Sequence, residues 1–198
     1  PYPPNYSSAK LVKGRVVDEI NFEEFMIFSR HWAMPNKDTF SIKPIGEFVK
    51  KYLAKSKCSV DPFARDKEWF TFTNDLNPET KAQYHLDAED FVNQLYNKGV
   101  SCDLFIMDAP YSPRQISECY RGIGKTVTME DTQSSLLYKR VRDAAMKILT
   151  PDAIVLSFGW NTTGMGKKRG FEIEEIMLVG HGSAHNDTIC MAEKRLTN

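Results

Sequence analysis

CDLFIMDAPYSP, residues 102–113, decides the fold. Leu104, Phe105, Ile106 and Met107 form an apolar run suited to a strand buried on both faces, the pattern of a parallel sheet covered by helices. Asp108 falls where that strand emerges at the sheet edge. Pro110 stops it from continuing, because proline has no N–H to give a neighbouring strand. Taken alone, the stretch reads equally as a strand end followed by a turn. What lies upstream and downstream decides between them.

Downstream, TQSSLLYKRVRDAAMKIL (132–149) carries Leu136, Leu137, Val141, Ala144, Ala145 and Ile148 along one helical face, with Asp131 or Thr132 as a cap. AIVLSFGW is an almost wholly apolar strand. FEIEEIMLVGHG and DTICMAEKR read as two further strands joined by the GSAHN turn. Upstream, Pro44 suits a first helical turn, and Ile45, Phe48, Val49, Tyr52 and Leu53 recur at helical spacing, giving a helix over about 44–55. CSVDPF and WFTFTNDLNP read as strands, and EDFVNQLYNK (89–98) as a helix. Residues 1–10 read as an extended arm, and FEEFMIFSRHW (22–32) as a short aromatic-rich helix or irregular packing segment.

Strands alternating with helices predict an α/β fold: a mostly parallel sheet with an antiparallel C-terminal edge pair and helices on both faces. The expected division is an N-terminal arm and packing segment over 1–38 and one domain over 39–198.

The 198 residues carry 26 basic and 26 acidic side chains, so overall charge argues for no nucleic-acid partner, and any such contact needs a local basic face. Cys58, Cys102, Cys119 and Cys190 form no C-x-x-C pair and read as buried reduced thiols of an intracellular, cytoplasmic protein. His181 and His185 have helical metal spacing, but GHGSAH is a glycine-rich turn, so no metal is expected. No apolar run has the length of a membrane span, and PYPPNYSS is not a secretion signal. GIGKT lacks the leading glycine and preceding strand of a phosphate-binding loop.

Ligands of open α/β sheets bind at the carboxyl ends of the strands. Asp61 (SVDPF), Asp75 (TNDLNP), Asp87 (HLDAEDF) and Asp108 (MDAPY) each end or follow an element at that edge. One such Asp would be an ordinary cap or turn residue; four in register point to a shared cleft.

These residues carry a resemblance covering about 39–195. The sequence resembles the S-adenosylmethionine-dependent methyltransferases that modify exocyclic amino groups, above all the adenine-N6 DNA methyltransferases. VDPF is similar to the D-P-F segment ending that family's first strand, and DAPY (108–111) matches its D-P-P-Y in three of four positions. FSIKP is similar to its additional cofactor-contacting segment, which places Phe40 to Lys43 near the methionine tail. The resemblance implies a Rossmann-like methyltransferase fold with S-adenosylmethionine as methyl donor and no metal. Its implied cofactor-binding residues are Phe40, Ser41, Asp61, Pro62, Phe63, Asp75, Leu76, Asp87 and Ala88. Asp61 would meet the methionine amino group, Asp75 the ribose hydroxyls and Asp87 the adenine amino group.

Asp108, Ala109, Pro110 and Tyr111 would be catalytic. Acceptors on the Asp108 side chain and the Ala109 carbonyl would localise the amine lone pair toward the methyl group, with geometry and electrostatics as the driving terms. Tyr111 would stack on a base flipped from its duplex. The segment ARDKEW after D-P-F has no glycine, and no separate target-recognition region fits. Two loops are expected to contact phosphates instead: 112–130 with Arg114, Arg121 and Lys125, and 159–170 with Lys167, Lys168 and Arg169. DNA is the expected partner, gripped with the help of self-pairing or a partner subunit. The alternatives are an RNA or protein-amide methyltransferase of the same fold, or a catalytically silent subunit that binds nucleic acid or a partner.

Overall fold

The computed structural model describes residues 10–12, 15–17, 26–110, 113–122, 124, 134–182 and 185–197. β1 (Lys10–Val12) and β2 (Arg15–Val17) make a small antiparallel ribbon. The remaining elements are β3 (Ile27–Trp32), α1 (Lys43–Leu53), β4 (Ser59–Asp61), β5 (Phe72–Thr73), α2 (Ala88–Asn97), β6 (Cys102–Met107), α3 (Pro113–Gly122), α4 (Ser134–Ala145), β7 (Leu149–Gly159), β8 (Phe171–Gly180) and β9 (Thr188–Arg195). They build a seven-stranded sheet in the order β3-β8-β9-β7-β6-β4-β5. Among the described residues, β9 alone runs against the rest, between β7 and β8. The expected α/β fold with its C-terminal antiparallel pair is observed.

β6 shows why the sheet must be covered twice. Leu104 and Ile106 belong to the cluster under α1, with Ile45, Phe48, Val49, Leu156 and Phe158. Phe105 and Met107 belong to the cluster under α2 and α4, with Phe91, Leu95, Val141, Ala145 and Val155. Side chains alternate across a strand, so a run apolar at every position needs helices on both faces. Each of the larger of these buried side chains, from valine to phenylalanine, contributes about 1.5–3 kcal/mol.

α1 starts with Pro44 in its first turn and ends with Lys50 and Lys51, which suit the negative end of a helix. A single-turn 3-10 segment (Thr39–Ser41) packs so tightly on α1 that a Cβ at Gly46 would lie 2.6 Å from the Phe40 carbonyl. α2 is capped by Asp87, whose side chain accepts from the Glu89 amide at 3.0 Å.

Four expectations are corrected. Residues 27–32, read as helix or irregular packing, form edge strand β3, paired in parallel with β8 from Ile27↔Glu175 to Trp32↔Gly180. Alternating side chains are fully compatible with an aromatic-rich stretch, and pairing with β8 selects strand over helix. The strand expected across WFTFTNDLNP is only Phe72–Thr73. Trp69 and Phe70 are drawn into the aromatic packing under α1, and Asn74 into hydrogen bonds described below. Of the loop expected over 112–130, residues 113–122 are helix α3. Finally, Cys119 on that helix is exposed and Cys58 half-buried, so only Cys102 and Cys190 are buried thiols. No described helix is long and apolar enough to cross a membrane.

Candidate active site

β4 lies between β5 and β6, and the chain leaves β4 toward β5 on one side and returns through β6 toward β7 on the other. The crevice outside the carboxyl ends of β4 and β6 is therefore the topological switch point where ligands of such sheets bind. Asp61 is the last residue of β4 and Asp108 follows the last residue of β6. Asp61 is completely buried; its Oδ1 accepts from the Phe63 amide at 2.9 Å, and its Oδ2 has no partner among the described residues. Burial pushes its carboxyl well above the ordinary range, the charges of Asp108 and Asp75 push it further, and the Phe63 amide offsets part of this. Asp61 thus feels the charge of two of the other three expected carboxylates.

The connection from β4 to β5 contains no helix. Its turns are held instead by polar contacts. Asn74, 1% exposed, donates through Nδ2 to the Pro62 and Leu86 carbonyls, each at 3.0 Å, and accepts from the Leu86 amide at 2.9 Å. It ties the segment after β4 to the segment before α2. Asp75 accepts from the Arg65 amide at 3.1 Å and the Asn77 amide at 2.9 Å. Arg65 adopts the left-handed region, φ 51°, to present that amide. Its guanidinium donates to the Lys37 carbonyl at 2.6 Å, and Lys67 Nζ pairs with Asp38 at 2.7 Å and donates to Ser41 at 3.2 Å. Lys37, Asp38 and Ser41 are therefore held against the turn that follows Asp61.

The other expected cofactor residues divide by what they touch. Phe40 is buried, its ring 5.1 Å from Phe158 and 6.2 Å from Trp69, so only its backbone is left to meet a ligand. Ala88 and Pro62 are buried, while Phe63, Leu76 and the exposed Ser41 retain accessible surface. Asp87 serves as helix cap through Oδ1 and accepts from the Tyr120 hydroxyl at 2.8 Å through Oδ2. Tyr120 is on α3, so this helix is bonded to the carboxylate edge. Asp87 follows Tyr84, which makes a single parallel bridge to Asn74 beyond β5.

In the segment expected to be catalytic, Asp108 and Pro110 are half-buried and Ala109 is buried. The Ala109 carbonyl accepts from the Tyr138 hydroxyl of α4 at 3.1 Å. Tyr138 did not stand out in the sequence, although it sits three residues before Val141 on the same helical face. Tyr111 and Lys125 lie outside the described residues, as do the cap candidates Asp131 and Thr132.

The basic residues differ in their availability. Lys167, Lys168 and Arg121 are exposed. Arg114 is exposed and paired with Glu118 at 2.8 Å, one turn away. Arg169 donates to Asp143 at 2.6 Å and to the Met165 carbonyl at 3.3 Å, so its guanidinium holds the loop itself. Glu193, buried on β9, grips the same loop by accepting from the Met165 and Gly166 amides at 2.6 and 2.9 Å. Burial raises its carboxyl, and those two amides and Arg142 oppose the rise.

Among the described residues no group of three or more His, Cys, Asp or Glu is placed to hold a metal. His181 is a buried link, with its ring nitrogens at 2.8 Å from the Ala33 carbonyl and 2.9 Å from the Thr188 hydroxyl.

No family model matches the sequence, and no curated protein matches it. Solved structures are similar in fold. TrmN from Thermus thermophilus matches at 12% identity over 78% of this chain and 49% of its own, with a TM-score of 0.52. NSun6 from Pyrococcus horikoshii, solved with SFG, matches at 11% identity over 75% of this chain and 50% of its own, with a TM-score of 0.50. SMU.776, assigned as a methyltransferase and complexed with S-adenosylhomocysteine (SAH), matches at 12% identity over 74% of this chain and 48% of its own, with a TM-score of 0.53. The chain spans about half the length of these structures. At such identities the likeness is one of architecture. Strand order, switch point and these neighbours together give the chain the Rossmann-like fold of S-adenosylmethionine-dependent methyltransferases.

Proposed function

We propose that this protein transfers a methyl group from S-adenosylmethionine to the exocyclic amino group of adenine in DNA. What supports the reading is the position of Asp61 and Asp108 at the carboxyl ends of the neighbouring strands β4 and β6, with the charges of Asp108 and Asp75 both felt at Asp61.

The residues present fit such a donor. Asp61 Oδ2, buried without a partner among the described residues, suits an ammonium group, which would restore the charge balance that burial denies it. Asp75 has spent one lone pair of each oxygen on the Arg65 and Asn77 amides and retains others for the paired hydroxyls of a ribose. Asp87 is shared with Tyr120 and its own helix, and each oxygen keeps capacity for an adenine N–H. When bound, S-adenosylmethionine supplies an electrophilic methyl group on a sulfonium sulfur.

An adenine amino nitrogen is a weak nucleophile because its lone pair is spread into the ring. Asp108 accepts one N–H and the Ala109 carbonyl the other, which pyramidalises the nitrogen and takes its lone pair out of conjugation with the ring. Both acceptors interact more strongly as positive charge develops on nitrogen, so they act on the transition state. Tyr111 stacks on the extruded base. Arg121, exposed on the helix whose Tyr120 bonds Asp87, contacts the phosphates; Lys167 and Lys168, expected to do so as well, instead lead into the amino end of β8, on the sheet edge opposite Asp61 and Asp108.

The test is transfer of a labelled methyl group to unmethylated DNA, RNA and protein, with the product identified by mass. N6-methyladenine in DNA is expected. Methylated RNA or protein would keep the chemistry and change the substrate. No transfer to any of them, together with no thermal stabilisation by S-adenosylmethionine or SAH, would overturn the reading.

A further inference from the structure

The peptide joining Ala109 to Pro110 has an unusual anchoring problem. β6 ends at Met107, so the strand ladder no longer holds this peptide. Proline has no N–H, which leaves the Ala109 carbonyl as the only polar handle of the unit. The segment it resembles carries a second proline where this chain has Ala109, whose φ is free. Something else must fix the plane.

Tyr138 does so. Its hydroxyl donates to that carbonyl at 3.1 Å across 29 residues of sequence. A carbonyl oxygen has two lone pairs, so this bond leaves one for an incoming amine. Tyr138 is itself held on both sides: its ring packs against the cluster under α2 and α4, and the Arg142 guanidinium lies 5.2 Å over the ring. Burial and the nearby Asp108 charge push the phenol well above its ordinary range, so it stays a donor at every working pH.

Resting on the function proposed above, we infer that Tyr138 is a positioning residue for methyl transfer: it locks the Ala109–Pro110 peptide so that the second acceptor is already oriented when the amine arrives. It touches neither reacting atom and acts only through Ala109.

Tyr138→Phe removes the hydroxyl and keeps the ring, its packing and its contact with Arg142. Ala109–Pro110 is the only Ala–Pro pair in the sequence. Protein carrying carbonyl-13C alanine and 15N proline therefore shows a single carbonyl coupled to proline nitrogen, a direct monitor of this oxygen. Loss of the bond in Y138F moves that resonance upfield. On the amine substrate that wild type methylates, kcat falls about 10-fold while KM for the donor is unchanged, the mark of lost orientation and not lost binding. An unmoved carbonyl resonance, an unchanged kcat, or a fall in donor affinity equal to the fall in kcat each overturns the inference. If wild type methylates no substrate, the proposed function fails and takes this role with it. If wild type is active and Y138F equals it, only the role of Tyr138 fails.

Discussion

The backbone amide of Arg65 donates to Asp75 Oδ2 across 3.1 Å, joining the helix-free turn after β4 to the carboxylate that follows β5. The turn thus orients Asp75 by a main-chain contact, and no glycine is needed because Arg65 itself takes up φ 51°. The division of labour among the carboxylates follows from this.

Asp75→Ala is expected to weaken binding of SAH at least about 10-fold, the loss of two hydroxyl acceptors. Asp108→Ala is expected to abolish methyl transfer while leaving SAH affinity within about 2-fold, because the role proposed for Asp108 is toward the amine and not the donor. Calorimetric titration of SAH into both variants, alongside the transfer assay, checks the split. Equal loss of SAH binding in both would contradict it.

Asp61 makes stability depend on pH in a defined sense. Its folded carboxyl lies above the unfolded value of about 3.9. Below that value both states hold the proton and nothing is lost. As pH rises, the unfolded chain releases its proton first, so stability falls from about pH 4 up to the folded value and is flat beyond it. Asp61→Asn removes this penalty. At pH 7 its melting temperature is expected to exceed that of wild type by about 3 °C or more, the gap closing toward pH 4, while SAH binding weakens. Melting curves across pH with and without SAH read both effects. A variant less stable than wild type at pH 7 would show that the buried charge is compensated.

Asn74→Ala removes three hydrogen bonds, one buried and two partly buried, that link Pro62 and Leu86 to the residue following β5. A loss of about 2–4 kcal/mol is expected, because two carbonyls and one amide are left without partners. Urea unfolding should show a lowered midpoint with an unchanged slope.

Lys167 and Lys168 are exposed, whereas Arg169 is held by Asp143 and Met165. Arg121→Gln is expected to make the salt dependence of DNA binding shallower by about 1 in log–log slope, whereas replacing Lys167 and Lys168, on the far sheet edge, leaves it unchanged, all with melting unchanged. Arg169→Gln should instead lower the melting temperature and leave that slope nearly intact. Fluorescence anisotropy at several salt concentrations separates the three. A larger slope change for Arg169→Gln would reverse the assignment.

Local patterns reached far into this protein. The apolar run 104–107, the helical faces of α1, α2 and α4, and the placement of Asp61, Asp75, Asp87 and Asp108 at element ends could all be read along the chain, because side-chain period and proline or cap chemistry act over a few residues. The misread elements are those whose choice depends on a distant partner. Residues 27–32 became a strand because β8 offers them a ladder. Trp69 and Phe70 left their strand because α1 and Phe40 offer them a core.

The site divides along the same line. Its carboxylates were determined by the amino-acid sequence alone, since each sits where a strand or helix must begin or end. What only the folded chain decided is which groups hold them: Arg65 on Asp75, Tyr120 on Asp87, Asn74 across three segments, and Tyr138 on Ala109. A hydrogen bond between residues far apart in sequence leaves no periodic mark, because its geometry exists only once both backbones are fixed by the packing around them.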